Sequence, residues 1–138
     1  FYSTGTEVSR FEKVKRLTAF PQSFAFLNVC NTYSKNCGVC VKCLRTLYAL
    51  DILDALDAYA AVFDVEAYRE NRSRAIAECW VRAHLAKDGF CREMLPALRG
   101  KYGISVFEII RESIRFVRSR LKIYSLSYIR YRLRDAKH

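Results

Sequence analysis

Apolar residues recur every three or four positions along most of this 138-residue chain, which is the spacing of helices that bury one face. Ser9 and Glu12 stand three positions apart, as in a capping box, and predict a helix that runs to about Thr18. Pro21 then interrupts the pattern. Further predicted helices begin at Val41 and cover residues 53–62, 65–87, 91–98 and 105–134. The predicted fold class is therefore mainly α.

Polar residues and glycines mark the predicted ends of the later helices. Asp64 is placed to cap the helix over 65–87, and Gly89 is expected to end it. Ser105 and Glu108 form a second capping box, which begins the last helix. A seam with alternating spacings of three and four follows: Phe107, Ile110, Ile114, Val117, Leu121, Tyr124, Tyr128 and Tyr131. Such a seam fits either a coiled-coil partner or packing on the domain core, and core packing is the commoner arrangement.

Composition agrees with a compact unit built from long regular elements. Hydrophobic residues make up 51% of the chain, and there are only two prolines and five glycines to introduce turns. The formal net charge is +10, and many of the cations lie between Arg111 and Lys137. A basic face of this kind attracts phosphates, acidic proteins or anionic lipid, although a solvated helix face is the commoner explanation.

The sequence also bears on where the protein works. No apolar run reaches the roughly 18 residues that a membrane span needs, and no secretory signal is recognisable. Six cysteines without such a signal indicate reduced thiols and metal ligands, so the expected location is the cytoplasm. The chain starts at Phe1 inside a patterned segment, and we expect it to be the C-terminal piece of a longer protein.

Four cysteines within fourteen residues are the strongest chemical signal in the chain. Cys30, Cys37, Cys40 and Cys43 are spaced C-x6-C-x2-C-x2-C, which lets four thiolates converge on one tetrahedral zinc ion. Cys43 falls in the first turn of a predicted helix, where the helix dipole favours a thiolate. A site closed by four thiolates has no position for water, so the predicted zinc is structural and not catalytic.

Other uses of these cysteines remain open from the sequence alone. The main rival is an iron–sulfur cluster, but Leu47 stands where the bacterial ferredoxin spacing has its fourth cysteine, and no proline follows. Disulfides and a redox C-x-x-C pair are weaker alternatives. Cys79 is expected to be a buried thiol beside Trp80, and neither Cys79 nor Cys91 is given a catalytic role.

The cysteine motif also resembles that of a known family. The stretch NCGVCVKCLRT, preceded by Cys30, resembles the zinc loop of the 7-cyano-7-deazaguanine synthases, which are N-type ATP pyrophosphatases of the adenine-nucleotide α-hydrolase (PP-loop) group. The positions that match the family pattern are Cys30, Cys37, Gly38, Cys40, Cys43 and Arg45. The upstream segment TEVSRFEKV is similar to the helix that precedes this loop and places Lys13 near a recurrent lysine. The resemblance extends from residue 1 to about residue 70.

The resemblance implies a function for a larger protein. The intact enzyme would be an α/β Rossmann-like protein that binds ATP and magnesium, adenylates a carboxylate or similar oxygen, releases pyrophosphate, and lets a nitrogen nucleophile displace AMP. Such enzymes hold phosphate with an SGGxDS loop, which this chain lacks. We therefore expect no ATP turnover from this chain alone. Its expected partners are its own N-terminal ATP domain and, in a homodimer, a second copy.

The resemblance also sets the predicted domains and site. Residues 1–64 are interpreted as the end of the nucleotide-hydrolase-like domain, with the zinc loop at 30–43, and residues 65–138 as a helical, basic extension. Lys13, Lys42 and Arg45 are the candidate residues of a substrate or nucleotide cleft. The competing interpretation of Arg45 is an ion pair with Asp51 or another acid.

A second class of function fits the same sequence. A free-standing zinc-binding module could use its basic helix to contact nucleic acid or an acidic partner. Nucleic acid is the less favoured partner, because few aromatic and basic residues lie near the zinc loop and the tyrosines of the last helix follow an apolar seam.

Overall fold

The computed structural model describes the backbone of residues 8–135 and the side chains of residues 8–121. Within these limits the chain is mainly helical and contains no β-strand. Seven α-helices follow one another, with one 3-10 turn at Asp57–Tyr59: α1 Arg10–Leu17, α2 Ser23–Phe26, α3 Val41–Ile52, α4 Val65–Glu70, α5 Arg72–His84, α6 Gly89–Tyr102 and α7 Val106–Asp135. None of the helices in the described residues is long and apolar enough to cross a membrane.

Several predicted helix starts are confirmed by their caps. The Ser9 hydroxyl accepts a hydrogen bond from the backbone N–H of Glu12 at 3.2 Å, and α1 begins there. The Asp64 carboxylate accepts from Ala67 N at 3.0 Å and starts α4. The Ser105 hydroxyl accepts from Glu108 N at 3.3 Å and starts α7. Each cap satisfies a backbone donor that has no partner inside its helix.

The predicted helices over 53–62 and 65–87 are wrong in their extent. Between α3 and α4 only the 3-10 turn is helical, because Asp54 takes a left-handed conformation (φ 54°) that ends α3. The second segment is divided at Asn71, whose side-chain amide donates to the Ala67 carbonyl at 2.9 Å. Its end is also earlier than predicted, at His84, because Lys87 is left-handed (φ 54°) in the turn that follows.

The helix predicted over 91–98 is longer in the structure. Asp88 caps its start, with its carboxylate accepting from the backbone N–H groups of Phe90 and Cys91. Gly89 therefore opens α6 and does not close α5. The helix ends at Gly103, whose backbone angles (φ 71°, ψ −167°) are essentially restricted to glycine.

One core joins α3, α5 and α6. Leu47, Leu50, Ile76 and Leu98 are among its fully or almost fully buried residues. The hydroxyl of buried Tyr48 donates to the Ala75 carbonyl at 2.7 Å, which satisfies the polar end of the ring. Buried residues on both sides of position 64 belong to this core. The division of the chain at residue 64 stays a prediction.

The α7 helix packs on α5 with the face opposite to its apolar seam. Glu112 is buried on that face and pairs with Arg74 and Arg115, each at 2.9 Å. The seam residues Phe107, Ile110, Ile114, Val117 and Leu121 are 48–70% exposed. The expectation that the seam packs on the core is therefore wrong for these five positions. The side chains of Tyr124, Tyr128 and Tyr131 lie outside the described residues.

Candidate metal centre and adjoining groove

The four predicted metal ligands come from an irregular loop and the start of α3. Cys30 and Cys37 lie in the loop after α2, Cys40 is the N-cap residue of α3, and Cys43 is buried in the first turn of that helix. Gly38 has a φ of 71°, which lets the chain turn sharply between Cys37 and Cys40. We call residues 30–43 the metal loop.

The sulfur atoms are arranged to hold one ion. All four lie within 4.8 Å of one another, with 3.9 Å between the sulfurs of Cys30 and Cys40 and 4.0 Å between those of Cys37 and Cys43. A tetrahedral zinc ion with Zn–S bonds of about 2.3 Å places its sulfurs about 3.8 Å apart. The quartet therefore fits a single tetrahedral ion, which favours one ion over a cluster in which each cysteine binds a different iron.

The protonation of the cysteines differs across the quartet. Burial works to raise the pKa of Cys30, but backbone N–H groups of Thr32, Cys37 and Tyr33 bring this pKa down to about 6. Burial raises the pKa of Cys43 to about 12, and the neighbouring Cys40 adds to the rise. Burial thus outweighs the stabilisation that the first turn of α3 offers to a thiolate at Cys43. A bound cation would supply the missing compensation.

Asn36 fastens the metal loop to the rest of the domain. Its side-chain amide donates to the carbonyls of Leu27 at 2.7 Å and Val62 at 3.0 Å, and its side-chain oxygen accepts from Val29 N at 2.9 Å. The same oxygen lies 4.0 Å from the sulfur of Cys43. The sequence pattern assigned Asn36 no role in the site. Its one available signal was its place directly before Cys37.

We expect Asn36→Ala to weaken metal binding by about 10- to 100-fold, the usual effect of removing a group that orients the ligands. Competition with a chelator of known affinity measures the change. Asn31→Ala, an exposed position in the same loop, is the matched control and should bind metal as the wild type does. Equal affinities for the two variants would show that Asn36 does not orient the site.

An open groove adjoins the metal loop. Its volume is about 530 Å³, and its lining residues are Arg10, Lys13, Val14, Asn28, Val29, Cys30, Asn31, Lys42, Arg45, Thr46 and Phe90. The three candidate cleft residues Lys13, Lys42 and Arg45 thus share one groove with a metal ligand. Arg10 is a fourth cation that sequence analysis did not single out, although its spacing of three from Lys13 on α1 was a usable signal. None of the described residues that line this groove is acidic.

Arg45 has a structural partner as well as a place in the groove. It donates to the buried carboxylate of Asp88, and its guanidinium lies 5.9 Å from the centre of the Phe90 ring. Burial works to raise the pKa of Asp88, but Arg45 and the backbone N–H groups at the start of α6 lower it. The interpretation of Arg45 as the partner of Asp51 or another acid is confirmed with Asp88 as the acid, whereas Asp51 pairs with Arg72. The Nε of Arg45 is buried without a hydrogen-bond partner among the described residues.

Cys79, Cys91 and His84 form no second site. Cys79 and Cys91 are fully buried, and the Cys79 sulfur lies 3.7 Å from the Cys91 carbonyl oxygen. The neighbouring Cys91 and burial raise the pKa of Cys79, so this thiol stays protonated. His84 is exposed and stacks on Trp80 with 4.3 Å between ring centres.

The chain was compared with protein-family models, with curated proteins and with solved structures, and none of the three comparisons gave a match.

Proposed function

We propose that this chain is the zinc-stabilised C-terminal part of an ATP-dependent, ligase-like enzyme that adenylates its substrate and releases pyrophosphate. One observation carries the proposal. Four cations, Arg10, Lys13, Lys42 and Arg45, line a groove whose described lining residues include no carboxylate, and the groove lies against a ligand of the metal loop. A groove with this charge favours a phosphate or carboxylate group over a neutral ligand.

The metal has a positioning role in this proposal. When bound, zinc joins Cys30 of the loop to Cys40 and Cys43 of α3 and offers no open position for chemistry. Lys42 and Arg45 lie on α3 directly beside these ligands, and Lys13 approaches from α1. The bound metal would therefore hold Cys30 and its neighbours in the groove against the start of α3. The cations would bind the leaving pyrophosphate, the nucleotide phosphate or the acid substrate and screen its charge.

The groove can be tested on the chain itself. Lys13→Gln combined with Lys42→Gln should weaken the binding of inorganic pyrophosphate by at least about tenfold, since a hydrogen bond to a charged group contributes about 1.5–3 kcal/mol. Titration calorimetry at fixed ionic strength measures the affinity. Lys15→Gln combined with Lys35→Gln is the matched control, because both lysines are exposed and neither lines the groove. If the control weakened pyrophosphate binding as much as the Lys13/Lys42 change, net charge alone would explain the effect and the proposal would be contradicted.

Testing the proposed enzymatic activity requires protein expressed from the complete coding region around this chain. We expect the full product to release pyrophosphate from ATP in the presence of magnesium and an acid substrate, and the Lys13/Lys42 double variant to do so more slowly. Arg45 is less suitable for this test because it also holds Asp88 at the start of α6. The chain alone should not turn over ATP, and turnover by the chain alone would contradict this assignment.

A further inference from the structure

The α7 helix presents an apolar stripe to solvent. Its members are Phe107, Ile110, Ile114, Val117 and Leu121, and even the least exposed, Ile114, is 48% exposed. Their spacings of three, four, three and four residues give a repeat of 3.5, the period of a seam that packs against another helix. The sequence continues the same repeat at Tyr124, Tyr128 and Tyr131. We call the five described residues the α7 seam.

The domain already uses the opposite side of α7, so the seam is not covered by its own core. Glu112 is 4% exposed and bonded to Arg74 of α5, and Ile109 and Phe116 are partly buried on the same side. In the heptad that puts the seam at positions a and d, Glu112 falls at f, directly away from the seam. Contact with α5 and contact with a further helix are therefore compatible.

The seam is as narrow as an apolar stripe that packs against one helix, and narrower than the apolar face of a membrane-binding helix. A helix that lies in a lipid surface carries a broad apolar face, commonly one-third or more of its circumference. From residue 107 to residue 121 the exposed large apolar residues lie only at the a and d positions of the repeat, and arginines lie at adjacent e and g positions. A narrow stripe of this kind buries its apolar side chains best between the side chains of one neighbouring helix.

The charges beside the seam select the partner. The charged residues at the flanking e and g positions within 106–121 are Arg111, Arg118 and Arg120, and all are cations. Of the two acidic residues of this stretch, Glu112 is buried on the α5 side and Glu108 pairs with Arg111. Arg118 and Arg120 have no acidic partner among the described residues and leave the seam with a positive flank. An antiparallel second copy would bring arginines together, and a parallel one would bring no acid to any of them.

We propose that the α7 seam binds an amphipathic helix of another protein whose apolar stripe is flanked by Asp or Glu. The apolar residues supply the buried area, and the flanking arginines pair with the partner's acids and reject a basic helix. The complex would be a heterotypic coiled coil formed on the face of α7 that points away from α5.

The test uses two synthetic helical peptides of about three heptads with the same Ile and Leu seam, one with Glu and one with Lys at the flanking positions. Fluorescence anisotropy of the labelled peptides measures binding to the whole chain. We expect the Glu peptide to bind at least about tenfold more tightly than the Lys peptide, with the difference shrinking as salt rises. The triple variant Arg111→Glu, Arg118→Glu, Arg120→Glu should reverse this preference.

A second variant tests whether peptide binding depends on the apolar seam and not on charge alone. Ile114→Ser with Val117→Ser changes two exposed positions, so circular dichroism should show an unchanged fold while binding of the Glu peptide is lost. Three results would overturn the proposal. One is no preference for the Glu peptide. Another is a dimer in sedimentation that the serine variant dissociates, which would make the partner a second copy. The third is stronger seam-dependent binding to phosphatidylserine vesicles or to RNA than to the Glu peptide.

Discussion

Cys40→Ser is expected to release the bound metal and to lower the free energy of unfolding by more than about 4 kcal/mol. Cys40 is the ligand that joins the loop to α3, and its sulfur lies 3.9 Å from that of Cys30. Tyr33 and Val39 of the loop are exposed, so few apolar contacts hold this part of the chain without an ion. Metal analysis of the purified protein and urea denaturation with and without chelator measure the two effects.

The control for this change is Cys91→Ala, which removes a buried thiol outside the quartet. This variant loses some packing but should keep one metal ion per chain and its sensitivity to chelator. Substitution with cobalt(II) adds a direct view of the ligands, because a tetrahedral thiolate site gives a characteristic visible spectrum. The metal centre would be contradicted if the Cys40→Ser protein retained its metal. It would also be contradicted if the chelator left the unfolding midpoint of the wild type unchanged.

Asp51→Ala should cost about 3–5 kcal/mol, the usual effect of removing one partner of a buried ion pair. The Asp51 carboxylate is buried and accepts from the hydroxyls of Tyr68 at 2.9 Å and Tyr102 at 2.7 Å, while Arg72 Nε lies 3.1 Å away. Burial and then Asp51 raise the pKa of both tyrosines, so both remain donors at neutral pH. Without Asp51, two hydroxyls lose their hydrogen-bond acceptor and the Arg72 guanidinium loses its ion-pair partner.

The matched control is Asp57→Ala. Asp57 also pairs with an arginine, Arg69, but its side chain is 80% exposed, and water screens such a pair. Urea denaturation should place the Asp57 variant close to the wild type and the Asp51 variant far below it. Similar midpoints for the two variants would mean that the buried network contributes no more than a surface pair.

The composition of the metal centre was predictable from the sequence, but its attachment to the fold was not. Four cysteines in a short span can reach one ion whatever surrounds them, so their spacing alone indicated a common site. Asn36 acts through carbonyls of Leu27 and Val62, and Val62 is 26 positions away in the chain. No local pattern marks such a bond. Three of the four cations in the groove, Lys13, Lys42 and Arg45, were named from the sequence through the family resemblance. Arg10 was not named, and only the packing of α1 places it beside them.

The predicted helix bounds were also wrong where contacts between distant parts of the chain decide where a helix begins or ends. The periodicity predicted one helix across Asn71, because apolar positions continue on both sides of it. In the structure α4 ends there and α5 begins, and residues of both helices belong to one core. Gly89 was expected to end a helix, and Asp88 instead caps the next one because its carboxylate reaches Phe90 N and Cys91 N. The pairing of Asp88 with Arg45, 43 positions away, helps to hold this cap.

The sequence by itself determined the features that depend on neighbours within a few positions. These are the helical class, the caps at Ser9, Asp64 and Ser105, and the gathering of the four cysteines, because each follows from bonds across about one helical turn or one short loop. Only the tertiary structure decided that Asp51 pairs with Arg72 and that the α7 seam faces solvent. Periodicity reveals which face of a helix is apolar, but what covers that face depends on residues distant in the chain.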